Sequence, residues 1–494
     1  MRRRRGDTTR TSDPDEKGPV ASPPSPIWQA FHRLCSLDVG SLHAFRIGLA
    51  VALSWDAMQK IILAPAFYER DASSYPLFAL EEDVGRWAPW LNAFTWFPGA
   101  LWPRALLMLT AFLAIAGTRL RCCTVACWVL VAMVTLRNVE VTFIFDRYIH
   151  FMLLFSSMLP YQDEGPNITV LLFRLQLAWI YFDAGYGKVC DSRGDWSFNA
   201  EVPALSVYMM GAPGLGKMLD LDRLWMGGFL VRSLTPFVAW VEVLVGPMAL
   251  LSSMAPDGML CVHFVPIAAA WSLHLGIALG MEGGPVIALV ACASWMAVLP
   301  ARVWSKLTLQ SVAPTARRTP FFRWPALALL TSCAMFEVSG AQTRPGPWPT
   351  VLLLNRWRVF TGTDTHVNWE VAPARLVDGS VVDLWSWQNV TFSRPKRYGR
   401  RGRWLSFPFT KTGSEAAVNA RFQYFCDEWD ASHSTSVEKY QLFEIWASAV
   451  QGSKAPKTEP KKTLLRVQAC KSRRGRMGGG IERSRDRAQG RKEG

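Results

Sequence analysis

Long apolar windows alternate with short polar links from Ser41 to Val338, while both ends of the chain are polar. The windows run about Ser41–Ile62, Trp102–Thr118, Cys122–Leu136, Tyr148–Leu159, Ile168–Tyr186, Pro236–Ser253, Leu260–Gly280, Pro285–Pro300 and Trp324–Val338. A helix needs about 20 mostly apolar residues to cross a bilayer, and several windows meet that length while others are short. From Gln342 the pattern changes to single alternation. In ARLVDGSVVDL the pair Asp378-Gly379 separates two alternating runs, which is the strongest short hairpin signal. The pattern predicts an all-α multi-pass transmembrane helical bundle of eight to nine helices, followed by a small C-terminal β-rich extramembrane domain. Residues 1–38 and 452–494 read as disordered tails, 39–340 as the bundle, and 341–451 as the β-rich domain.

Composition agrees with the bundle. Half of the 494 residues are hydrophobic, and 23 Trp and 27 Phe suit membrane interfaces. The N-terminal stretch has no apolar core of the kind a cleaved signal needs, so the first window is expected to stay as an anchor. Basic residues set the orientation. Arg119, Arg121, Arg302, Lys306, Arg317, Arg318 and Arg323 fall on the side of the N-terminus if nine windows cross, and the acidic loop from Glu69 to Asp83 falls opposite. Positive-inside bias then puts the N-terminus in the cytosol and the C-terminal domain outside it. If the cell is eukaryotic, the membrane is expected to be the endoplasmic reticulum or another endomembrane. Much of the +15 net charge lies in the C-terminal tail, which lacks interleaved aromatics. It reads as a solvated tail, so membrane lipids are expected partners and nucleic acid is not. The ten cysteines show no metal-ligand spacing, and no metal is expected. A disulfide at Cys426, outside the apolar windows, is left open.

Ionisable residues inside apolar windows are costly and tend to face the bundle interior, with partners or functions. Arg46, Asp56 and Lys60 lie in the first window, with Asp56 and Lys60 spaced to pair on one face. Arg174, Tyr181 and Lys188 are seven apart and share a stripe. Ala184 and Gly185 beside Lys188 are small enough to admit a second helix. Asp146 and His150 open the fourth window, Glu242 sits inside the sixth, and His263 and His274 are nearly in phase in the seventh. Asp183 is about 140° around its helix from Lys188 and is not expected to pair with it. Two readings of this set stand: a polar cavity, or a network that fixes helix packing.

Six stretches carry a resemblance in order: LHAFRIGLAVALSWD, RLRCC, RNVEVTFIFDRYIHFMLLFSSMLP, LQLAWIYFDAGYGK…DW, FVAWVEVLVGP and HLGIALGMEGGPVIALVACASWMAVLP. They resemble the horizontally transferred transmembrane (HTTM) domain family, whose best-known activity is vitamin K-dependent γ-glutamyl carboxylation. The resemblance covers about Leu42 to Leu307. It implies a peptidyl-glutamate 4-carboxylase-like lyase, with vitamin K hydroquinone or another quinol as cofactor and a peptide as substrate. Lys188 matches the family's catalytic lysine, His274 the histidine of a downstream motif, and Asp146 the place of a catalytic histidine. Gly187 stands where the carboxylase has a first lysine. On this reading Lys188, His274 and Asp146 are catalytic, and Arg46, Tyr181 and Glu242 line the cofactor cavity. Burial disfavours a lysine's charged form, which is how a lysine becomes a base near neutral pH. A non-catalytic lipid- or quinone-binding scaffold, or a transporter, is the alternative.

Overall fold

The computed structural model describes residues 25–68, 101–137, 141–162, 166–191, 193–200, 202–211, 225–256, 258–280, 284–306, 357, 366–393, 415–448 and 460–471. Helices occupy eight of the nine apolar windows. They are α2 (Val39–Ile62), α4 (Leu101–Ala116), α5 (Arg121–Arg137), α6 (Ile144–Met158), α7 (Ile168–Val189), α9 (Trp225–Met254), α10 (Leu260–Gly280) and α11 (Gly284–Met296). Shorter helices are α1 (Pro26–Leu34), α3 (Ala64–Phe67), α8 (Ala204–Gly211) and α12 (Ala301–Lys306). The ninth window, Trp324–Val338, lies outside the described residues.

The expected number of crossing helices is corrected. Among the described residues four helical segments are long and apolar enough to cross a membrane: Pro26–Ile62, Ile168–Val189, Gly228–Met254 and Leu260–Leu279. The protein is membrane-embedded on that ground. The other four helices have 16, 17, 15 and 13 residues in chain order. At about 1.5 Å per residue they reach roughly 20–26 Å, short of a hydrocarbon core of about 30 Å. Their apolar windows are themselves short, so counting every window as a span overstates the crossings.

Two ends of the bundle can be told apart by the bonds that cross them. At the near end, where α2 begins, Ser41 Oγ donates to Leu299 O at 2.7 Å and Asn167 N to Cys35 O at 2.8 Å. Arg46 reaches from α2 to the end of α6, donating to Ser156 O at 3.3 Å in its last turn and, just past it, to Leu159 O at 3.1 Å and Pro160 O at 3.0 Å. Its guanidinium lies 3.5 Å above the Tyr161 ring. A cation at a helix C-terminus is electrostatically favourable, so Arg46 is a cap for α6. At the far end, Lys60 of α2 meets Asp146 of α6 at 2.9 Å.

The C-terminal domain sits on the far end. Phe67, Tyr68, Leu107 and Met133 share one apolar core with Leu384, Trp385 and Phe425. Its sheet is antiparallel and built on β4 (Val437–Ser448), which pairs with β1 (His366–Val371), β2 (Pro373–Leu376) and β5 (Lys461–Ala469). A hairpin joins β2 to β3 (Val381–Asp383) through Asp378-Gly379, as the alternation predicts, and Gly379 takes φ 86° there. Helix α13 (Glu415–Ser432) packs on this sheet, and Cys426 on it is bonded to Cys470 just past β5. Two segments expected as tail are therefore ordered. Strand β5 lies beyond the expected boundary at 451 because Lys461, Lys462 and an exposed Leu464 leave only a weak alternation with the half-buried Leu465, so the stretch resembles a solvated run. Helix α1 lies inside the expected N-terminal tail.

Candidate functional site

Helix α7 positions the site. Asn167 caps it, its side chain accepting from Thr169 N at 3.0 Å. The seven-residue spacing puts Arg174, Tyr181 and Lys188 on one buried stripe, and each meets a different element. Arg174 donates to Arg33 O and Leu34 O, both at 2.8 Å, and to Ser36 O at 2.9 Å, which fastens α1 to the near end.

Two turns on, the Tyr181 hydroxyl is 2.5 Å from His274 Nε2 of α10 and accepts from Trp295 Nε1 of α11 at 2.7 Å. Lys188, two turns further, donates to Glu242 of α9, and both side chains are buried. Its ammonium also lies 5.1 Å from the Trp196 ring centroid.

Small residues make that pairing possible. A Cβ on Gly185 would stand 2.5 Å from Val243 N and 2.9 Å from Ala239 O. Gly246 is pressed as closely on Ala178. The backbones of α7 and α9 therefore touch, and Glu242 is brought onto Lys188, the close approach that small residues permit.

Lys188 and Glu242 form part of the wall of a cavity of about 660 Å³ between α7, α8, α9 and α10. Trp196, Tyr208, Phe237 and Ser272 line it too, and the rest of its wall is apolar. Phe237 is exposed on the outer face of the bundle, so the cavity reaches the lipid-facing surface. Such a space suits an apolar ligand with one polar group, and its size falls within the usual range for small-molecule sites.

The other expected site residues lie elsewhere. His274 and Tyr181 sit behind the cavity wall, bonded to each other. Asp146 is in a separate buried cluster: Lys60 Nζ is 2.5 Å from Asp56 Oδ2 and 2.9 Å from Asp146 Oδ1, and Asp146 Oδ2 accepts from Phe143 N at 2.8 Å. Arg46 is the near-end cap. Neither Arg46 nor Asp146 lines the cavity, so the structure does not bring these two together with Lys188. Hydropathy marks them as buried but cannot say which helices they face. His263 bonds weakly to Pro256 O at 3.4 Å and is not joined to His274. Asp183 does not pair with Lys188; its Oδ2 accepts from Trp357 N at 2.7 Å. Trp357 packs edge-on against Tyr148 and Phe151, a contact that no local sequence signal announces. Trp295 and Ser272 were also missed, and only the periodicity of their helices could have suggested them. Among the described residues no three of His, Cys, Asp and Glu are grouped to hold a metal.

Comparison with family models, with curated proteins and with solved structures yields no match for this chain.

Proposed function

We propose that the protein is a membrane-embedded, HTTM-like binder of an amphiphile with an acidic hydroxyl head, and that a quinol is the ligand its motif resemblance favours. The observation that carries this reading is an apolar cavity of about 660 Å³ whose wall holds one buried Lys–Glu pair. Apolar walls and the rings of Trp196 and Phe237 fit a ring-headed lipid, and Phe237 at the rim gives it a way in from the bilayer.

An ammonium that already donates to a carboxylate has no lone pair to offer. In this pair Glu242 is the group that accepts the hydroxyl proton, and Lys188 is the cation that holds the oxyanion left behind. Tyr181 and His274 keep α7 and α10 in place behind that exchange. A bound quinol would supply oxygen-dependent formation of a strong base, and carboxylation of a peptidyl glutamate is the activity that the resemblance adds. The disulfide-bearing domain stands at the same end as Lys188, which suits a peptide substrate in an oxidising compartment.

Purified protein in nanodiscs, loaded with a short-chain quinol, tests this. Wild type should retain the quinol, oxidise it in air, and fix labelled bicarbonate into a glutamate peptide. Glu242→Gln should keep the quinol and lose turnover by about 10²–10⁴-fold, the usual contribution of a general base. A second reading, a binding scaffold without catalysis, has its own support: Lys188 is satisfied by Glu242 and Trp196 as it stands. Retention without oxidation in wild type selects the scaffold, and no retention removes both readings.

A further inference from the structure

The segment Pro26–Ile62 is 37 residues of nearly continuous helix. Straight, it would run about 55 Å, close to twice the hydrocarbon thickness of a bilayer. It is broken between Cys35 and Asp38, and α2 starts afresh with Asp38 as its cap, accepting from Ser41 N at 3.0 Å. The piece before the break, α1, has its own start: Ser25 caps it and Pro26 opens it.

At about 100° per residue, Ala30, Leu34, Ile27, Phe31, Cys35 and Trp28 fall in one arc of about 160°, and Ser25, Gln29, His32 and Arg33 fall opposite. One edge of the apolar arc, Ala30 and Leu34, turns inward and is half-buried. Beyond it Cys35, at the bundle end of the helix, is buried, but the earlier residues are left open: Ile27 is 83% exposed, Trp28 57% and Phe31 42%, with the last two rings stacked at 5.7 Å. Position along the bundle is fixed by bonds. Arg33 Nε donates to the carbonyl of Met254, the last residue of α9, at 2.9 Å. Arg174, in the second turn of α7, holds the carbonyls of Arg33, Leu34 and Ser36. Helix α1 thus lies at the level where α7 begins and α9 ends.

From these observations we infer that α1 is an in-plane helix seated in the headgroup layer of the leaflet at the near end, with Ile27, Trp28 and Phe31 among the acyl chains. A two-faced helix with aromatic and aliphatic residues on one side and basic residues on the other is what such a position selects. The occupant of its open face is lipid, because α1 continues directly into a membrane-crossing helix and is pinned at the depth where such helices end. The inference is independent of any ligand in the Lys188 cavity.

Nitroxide labels on the full chain in nanodiscs test it, with the cysteines other than Cys426 and Cys470 replaced by serine. Ile27→Cys, Gln29→Cys and Phe31→Cys carry the label one at a time, and Phe112→Cys on the exposed face of α4 serves as the deep reference. Labels at 27 and 31 should relax several-fold more with oxygen than with a water-soluble nickel complex, relative to position 29, and lie shallower than position 112. Equal access of nickel to all three positions would place α1 in water. Shielding of 27 and 31 from both reagents would mean that a second copy or another protein covers the face. Either result overturns the inference. Trp28→Cys repeats the measurement if the Phe31 variant does not fold.

Discussion

Two lysines are buried at the far end of the bundle, and they do different things. Lys60 is held by Asp56 on its own helix and by Asp146 at the start of α6. Lys188 is held by Glu242 across the α7–α9 contact. Burial is nearly the same, with lysine side chains 5% and 2% exposed. What differs is access. Lys60 stitches α2 to a helix that Asp146 also caps, whereas Lys188 and Glu242 face a cavity large enough for a lipid. Depth in the membrane therefore does not by itself separate the two lysines; the neighbouring empty space does, and the proposed function rests on that difference.

The largest effect should come from removing the two cations. Lys60→Met leaves two carboxylates packed together without the cation between them. Breaking a buried pair costs about 3–5 kcal/mol, so this variant should unfold at markedly lower denaturant or fail to accumulate. Lys188→Met strands Glu242 beside the cavity, where water or a protonated ligand can reach it, and should lose less stability while losing quinol retention. Denaturation in detergent and ligand retention in nanodiscs measure both. Equal destabilisation by the two variants would erase the distinction between them.

Glycines sharpen the same comparison at a smaller scale. Gly185→Ala forces a methyl group onto backbone atoms of α9, which cannot swing away as a side chain could. Overpacking of this kind costs about 1–3 kcal/mol, and it should also pull Glu242 off Lys188. Gly276, on the cavity wall, has nothing within 4 Å of where its Cβ would be. Gly276→Ala should change stability by no more than about 0.5 kcal/mol, yet narrow the cavity and weaken retention of the quinol. A Gly185→Ala protein as stable as wild type would show that the helices can separate and that the close approach is not what holds the pair.

The contrast also explains what could be read in advance. Asp56 and Lys60 are four apart on one helix, so their pairing was legible in the sequence, as was the stripe from Arg174 to Lys188 and the turn at Asp378-Gly379. Hydropathy located eight helices but overcounted those long enough to cross, because windows shorter than a bilayer span were counted as spans. Partners across helices were not legible. Nothing local to Lys188 names Glu242, 54 residues away, or separates it from Asp146. The bond between Cys426 and Cys470 was hidden because the strand leading to Cys470 carries lysines on its exposed side. Helix α1 was hidden for the opposite reason: its nine residues are too few for a window tuned to membrane spans.

A third charged site, outside the bundle, gives a smaller effect than either buried lysine and the cleanest sign. Glu370 of β1 stands directly across from Glu444 of β4, and Asn368 Nδ2 donates to Glu444 Oε1 at 2.9 Å. The next strand places Thr463 beside Glu444, so a hydroxyl-bearing residue and not a cation flanks the pair. Burial, and then the neighbouring Glu444 carboxylate, push Glu370 up to about 7. The unfolded chain loses this proton near the ordinary glutamate value, roughly 4.3, while the folded chain keeps it until about pH 7. Stability contributed by the neutral form is therefore present at low pH and lost as pH rises through that window. Each unit of displacement is worth about 1.4 kcal/mol at most, and partial exposure reduces the total to the order of 1 kcal/mol. Glu370→Gln removes the charge at every pH. It should melt with wild type at pH 4.5 and several degrees higher at pH 8, read on the full chain by near-ultraviolet circular dichroism. A variant that is less stable than wild type at pH 8 would mean that Glu370 is held as a carboxylate by a cation after all, in the manner of the two pairs in the bundle.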